Sequence, residues 1–140
     1  MIENAAKGEN WMFRNFFVEE DEKEKDVLEN GGLSCAVFVS SVLYLNKLIQ
    51  DIHATVGSVT KDMLASGWYE VEDLKPGAVL VWENKLGKND GKMHGHNGFY
   101  IGNDTAVSND SKGTGIPGKH HYTYNDTRKI EKIYWHPSLG

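Results

Sequence analysis

The sequence is poor in several things that would declare a chemistry at once. It holds one cysteine, Cys35, in 140 residues. A single thiol cannot close an internal disulfide, and it excludes every zinc site built from several cysteines. No apolar run approaches the roughly 20 residues of a membrane-spanning helix. The opening, MIENAAKGENW, lacks the cationic and apolar pattern of a signal peptide. Basic residues are outnumbered, 15 Lys and Arg against 20 Asp and Glu, for a net charge of −5. Binding a polyanion normally takes a clustered basic face, and none is visible. These absences point away from nucleic-acid and membrane partners. They predict a chain that is either cytoplasmic or exported without a classical signal.

The residues that are present describe a soluble globular protein, 39 % apolar and 25 % charged. No repeat, low-complexity segment or linker divides the chain, so residues 1–140 are expected to form one domain around one core. The N-terminal third reads as helical: WMFRNFF is an aromatic anchor, EEDEKEKD (Glu19 to Asp26) a solvated helix face, and Asn30-Gly31-Gly32 a break. A strong helix is predicted from Ser34, its N-cap, to about Ile52, with Val37, Phe38, Val42, Leu45, Leu48 and Ile49 on its apolar face. A shorter helix runs from Val59 to Ala65 and ends at Gly67.

After Leu74-Lys75-Pro76-Gly77 the period changes. Ala78 to Trp82 reads as a strand buried on both faces. HGHNGFYIG is a second strand, turned by Asn103-Asp104 onto a partner from Thr105 to Ser108. Two more are expected at His120 to Tyr124 and Lys129 to Trp135. Helices first and antiparallel strands afterwards make an α+β fold, with the helices packed on a C-terminal sheet.

Cys35 follows two glycines at the start of an apolar helix. Unpaired amides and the helix dipole there favour a thiolate, and the glycines leave room for a substrate. The competing reading is a packed cysteine, since free cysteines are among the most buried residues. A thiol nucleophile needs a base. Of the six histidines, His53 and His136 are expected in solvent, and His120 and His121 point to opposite faces of one strand. His94 and His96 share a face. With His120 or His121 they could also ligate zinc, so a histidine metalloprotein is the rival reading.

Three segments in order, GGLSCAVFVSSVL, LKPGAVLVW and HNGFYIGN, resemble the NlpC-type cysteine peptidases of the papain-like superfamily, relatives of the CHAP amidases. The likeness covers about residues 30 to 110 and rests on Gly32, Cys35, Phe38 and Val39, on Leu74, Pro76 and Gly77, and on His96, Gly98, Tyr100, Ile101 and Gly102. Ser34 and Ala78 stand where the family usually has Asp. The resemblance implies a papain-like fold and a Cys35 nucleophile with His96 as its base, and it leaves His94 as a loop residue at the cleft mouth. It also implies a third residue on the next strand to orient the imidazole. A two-residue loop at Asn103-Asp104 would bring Asn109 to the face of His96, whereas a three-residue loop including Gly102 would bring Ser108 and Asp110. Asn109, giving Cys-His-Asn, is the preferred candidate.

The implied activity is hydrolysis of amide or peptide bonds in bacterial cell-wall stem peptides, through a thioester and without metal or organic cofactor. For a wall hydrolase the lack of a signal suggests a phage or secretion-system origin, or a separate targeting partner. A catalytically silent binding domain on the same fold is the alternative.

Overall fold

The computed structural model describes residues 1–7, 17–20, 23–26, 34–86, 93–110 and 114–140. The architecture is α+β. The elements are α1 (Ile2–Ala5), β1 (Phe17–Glu20), β2 (Lys23–Asp26), α2 (Ser34–Leu45), α3 (Val56–Ala65), β3 (Tyr69–Val71), β4 (Val79–Leu86), β5 (Met93–Gly102), β6 (Thr105–Asn109), β7 (Pro117–His121) and β8 (Ile130–Trp135). A 3-10 turn, Pro137–Leu139, closes the chain. β3 to β8 form one six-stranded antiparallel sheet in the order β3-β8-β4-β5-β6-β7. Among the described residues no helix is long and apolar enough to cross a membrane.

Strand alternation gives the sheet two unlike faces. Val79, Phe99 and Val107 are cross-strand neighbours on the first. They receive α2: Phe38 packs edge-on against Phe99, ring centroids 5.7 Å apart, in a core with Val39, Val42, Val59 and Met63. The second face carries Leu80, Trp82, Tyr100, Ala106 and Trp135. The unbroken apolar run of β4 is thus buried from both sides, as its composition predicts.

Several expectations are corrected, among them the strand expected at His120 to Tyr124, which runs instead from Pro117 to His121. The described residues of the acidic run form paired antiparallel strands rather than a helix face, with β1 against β2 so that Val18 opposes Lys25 and Glu20 opposes Lys23. Charges spaced closely enough for i, i+4 helix pairs also alternate closely enough for strands, and the preceding FFV favours strand. The predicted long helix stops at Leu45 instead of Ile52. Lys47 N–H donates to Tyr44 O (3.0 Å), Leu48 N–H donates to Leu43 O (2.9 Å), and Lys47 adopts φ 59°. That is the Schellman stop usually marked by glycine, made here by a lysine. α3 begins three residues earlier than predicted because Thr55 caps it, accepting from Ser58 N–H. β3 was not foreseen. Gly67, at φ 98°, does end α3 in the left-handed conformation.

A further correction bears on the site. Asn103 and Asp104 take φ 51° and 55°, a two-residue type I′ turn. Gly102 pairs with Thr105 across it, but a bulge between Tyr100 and Gly102 adds a residue to β5. Beyond the bulge Tyr100 faces Ala106 and Phe99 faces Val107. A one-residue slip reverses faces, so Ser108 replaces Asn109 on the side of His96. Gly98 lies under Ser108, where a Cβ would come 2.7 Å from Ser108 Cβ and 2.7 Å from Val107 O. Only glycine fits that approach.

Candidate active site

Cys35 lies in the first turn of α2, ahead of the fully buried Phe38 and Val39. Tyr100 exchanges both main-chain bonds with β4 and its entry turn (N–H to Ala78 O, O from Gly77 N–H), so even-numbered residues of β5 face β4 and odd-numbered ones face β6. β6 ends at Asn109, the residue level with Asn97. At that level the sulfur of Cys35 meets the edge of β5, 4.0 Å from Gly95 O and with Asn97 N–H directed at it. The main chain on either side of His96 therefore touches the sulfur. Burial pushes the Cys35 thiol up, against the N–H groups of Asn97 and Ala36 and the guanidinium of Arg128, which pull it down. The resting group is a thiol, and it requires a base.

His96 projects from the sheet face opposite α2, its ring 5.1 Å from that of Trp82. Nε2 lies 2.7 Å from Tyr124 Oη and 3.0 Å from Ser108 Oγ. Ser108 Oγ is also 3.0 Å from Tyr124 Oη and 2.7 Å from His120 Nε2. His120 Nδ1 is 2.7 Å from His121 O. A carbonyl only accepts, so His120 carries its proton on Nδ1. Burial holds the His120 imidazole below its ordinary value, hence neutral, and its bare Nε2 accepts the Ser108 O–H.

The remaining protons follow by counting. Were His96 Nε2 an acceptor, Tyr124 would spend its one proton there, and both the His96–Ser108 and the Tyr124–Ser108 contacts would hold none. With the proton on Nε2, that N–H is shared between Tyr124 and Ser108, and Tyr124 O–H donates to Ser108. All four contacts then carry a proton. Within these four contacts, a proton on His96 Nε2 is the arrangement that satisfies every one.

Tyr124 reaches this position from an unusual loop. Tyr124, Asn125 and Asp126 adopt φ 53°, 56° and 65° in succession. Left-handed backbone costs about 1–2 kcal/mol per residue, and runs of it persist where the surroundings over-determine them, often at functional sites. Thr123 supplies the constraint: its Oγ1 accepts from Asp126 N–H and its carbonyl accepts from Thr127 and Arg128 N–H. Burial raises the Tyr124 hydroxyl to about 12, so it stays protonated. The same loop sets Arg128, whose Nε donates to Glu83 O (3.0 Å) and Nη2 to His94 O (3.4 Å).

Of the residues expected from the sequence, Cys35 and His96 lie on touching elements. Asn109 does not join them. It sits on the helix-facing side of β6, fully buried, with Nδ2 donating to Gly115 O. Asp110 is used by the following turn, accepting from Thr114 N–H and Oγ1–H. His94 belongs to β5 rather than a loop. His53 is not in solvent but pairs with Asp62 at 2.7 Å, and His136 accepts from Ser138 N–H and contacts Ser66 O. Among the described residues no group of three or more His, Cys, Asp or Glu could hold a metal ion, so the histidine site built on His94, His96 and His120 or His121 does not form.

Sequence reasoning missed Tyr124, the role of His120, Arg128 and Asn97. The side-chain amide of Asn97 is 1 % exposed and has no hydrogen-bond partner on either atom. The only advance signal was Asn125-Asp126, residue types that tolerate left-handed backbone. No protein-family model matches the chain, and no curated protein matches it significantly.

Proposed function

We propose that the protein is a cysteine hydrolase of amide or peptide bonds on a papain-like, NlpC-type fold, acting on stem peptides of bacterial peptidoglycan. One observation carries the reading: the strand whose main chain touches the helix-borne sulfur also bears an imidazole held at Nε2 by two hydroxyls. In the mechanism, the Cys35 S–H proton passes to His96 and the sulfur attacks the amide carbonyl. The oxyanion takes the Cys35 N–H. His96 protonates the leaving amine, then takes a proton from the water that opens the thioester. No step calls for a metal or organic cofactor.

The test is incubation of wild type and Cys35→Ala with purified peptidoglycan fragments, followed by mass spectrometry. Cleavage by the wild type alone is expected. Cleavage by both, or by neither, overturns the assignment. The second reading, a silent binding domain on the same fold, is favoured by the burial that raises the thiol. Alkylation of Cys35 at neutral pH decides between them: a rate far above that of a free thiol marks the enzyme, an ordinary rate the binder.

A further inference from the structure

One cation of this protein is half-buried without a counter-charge. Arg128 follows the left-handed loop and reaches across β4 to β5, where Nε donates to Glu83 O (3.0 Å) and Nη2 to His94 O (3.4 Å). Charges taken out of water are ordinarily paired. Among the described residues no carboxylate lies within ion-pair distance of this one. Glu83 acts on it from farther away, with its own Oε1 engaged by Lys129 N–H at 3.2 Å. The bonds that are made have a direction. Nε and Nη2 form one edge of the planar guanidinium, and both carbonyls lie on it. Nη1 donates to nothing among the described residues, which leaves the Nη1–Nη2 edge for two parallel N–H bonds to a carboxylate. The two strand carbonyls hold that fork in place before any ligand arrives, so little ordering is left to oppose binding.

The fork stands next to the thiol. Arg128 takes the carbonyl of His94, and the carbonyl of the following residue, Gly95, lies 4.0 Å from the Cys35 sulfur. Successive carbonyls of a strand point to opposite edges, so cation and sulfur flank β5 at neighbouring residues. They feel one another: the guanidinium pulls the Cys35 thiol down, and Cys35 favours the charged form of Arg128. We propose that Arg128 is a specificity residue, binding through Nη1 and Nη2 a carboxylate that the substrate carries near the carbonyl attacked by Cys35. The substrate class is thereby an anionic amide, with a free carboxylate a few atoms from the bond that is cut. One guanidinium offers a single charge and a flat two-pronged edge, which a carboxylate matches. A phosphate dianion would leave one negative charge unmatched beside Glu83.

The meaning for catalysis rests on the hydrolase reading, but the binding test does not. N-acetylglycine carries a carboxylate beside an amide, and N-acetylglycinamide is its neutral twin. Protein labelled with 15N-arginine is titrated with each at constant ionic strength, and the rate of Cys35 alkylation by iodoacetamide is followed in parallel. Arg14 and Arg128 are the only arginines, so Arg128→Lys assigns the signals. N-acetylglycine should shift the Arg128 Nε–H resonance and slow alkylation over the same concentration range. N-acetylglycinamide should need at least about tenfold more for either effect, the usual worth of a hydrogen bond to a charged group. Arg128→Lys keeps the charge without the fork and should narrow that preference; Arg128→Gln should abolish it. Both substitutions also remove bonds to the strands, but a looser site changes the two probes alike, and their ratio is what is read. Equal effects of the two probes on the wild type, or a preference that survives in Arg128→Gln, would overturn the proposal. A carboxylate preference in a protein that leaves peptidoglycan fragments uncut would sink the hydrolase reading and keep the anion site, so the two failures are distinguishable.

Discussion

Two histidines of this protein are held in opposite ways. His53, in the connection after α2, meets Asp62 at 2.7 Å, and that carboxylate also accepts from Gln50 N–H, Asp51 N–H and Ser66 O–H. His96 is held at Nε2 by two hydroxyls. The stronger, charged partner is thus at the corner where α2 turns into α3, and the weaker, neutral ones are beside the thiol. A carboxylate placed beside His96 would favour the charged form of that ring. Hydroxyls set the tautomer without fixing where the charge rests, which suits a base that must take up a proton and return it. In this molecule ionic strength serves folding, and neutral hydrogen bonds serve the candidate chemistry.

The sharpest way to break that comparison is to make one substitution at both places. His96→Gln should lower kcat/KM by about 10²–10⁴, the usual worth of a positioned acid–base group, while the urea midpoint stays close to wild type. His53→Gln should do the reverse, keeping turnover and losing about 1 kcal/mol of stability. Equal activity losses from the two would mean that His96 has no special role.

Asp62 is the next lever. Burial raises its carboxyl, but the bonds from His53, Gln50, Asp51 and Ser66 outweigh that and hold it at about 2, against an ordinary 3.8. A depressed carboxyl stabilises the fold fully above its unfolded value, and that contribution is lost as pH falls through the folded one. Asp62→Asn should therefore cost about 2 kcal/mol at neutral pH. The gap to wild type should narrow as pH drops from about 4 towards 2. Urea unfolding at several pH values measures it, and a gap independent of pH would show that the carboxylate is not what matters.

The parts legible in the sequence were those written locally. Cys35 after two glycines, the apolar run of β4 and the Asn103-Asp104 turn each announce themselves within a few residues. Which residue of β6 shares the face of His96 stayed open between Asn109 and the pair Ser108 and Asp110, because it depends on a single bulged residue: the turn has the preferred two residues, yet Gly102, at φ 95°, shifts everything beyond it by one. That exchanges Asn109 for Ser108. Tyr124 lies 28 residues from His96, and the loop that returns it is built from conformations no propensity predicts for a tyrosine. The end of α2 was missed for the same reason, a left-handed lysine doing what glycine ordinarily does.

The smallest effect expected concerns a cation whose charge acts on the thiol. Arg128 is half-buried and held by two backbone carbonyls, and its guanidinium lowers the Cys35 thiol while burial raises it. Unlike Asp62 it forms no ion pair among the described residues, so its field is not cancelled at contact range. Negative reagents approaching the sulfur should feel it. Two charges a few ångströms apart in a wet environment interact by about 1 kcal/mol, a factor of about five in rate. The ratio of iodoacetate to iodoacetamide alkylation rates at Cys35 should accordingly fall about fivefold in Arg128→Gln. Using the ratio cancels any general change in thiol exposure or acidity, because both reagents meet the same sulfur. An unchanged ratio would mean that the guanidinium only braces β4 against β5, leaving the electrostatics of the site to the helix terminus and the amides around it.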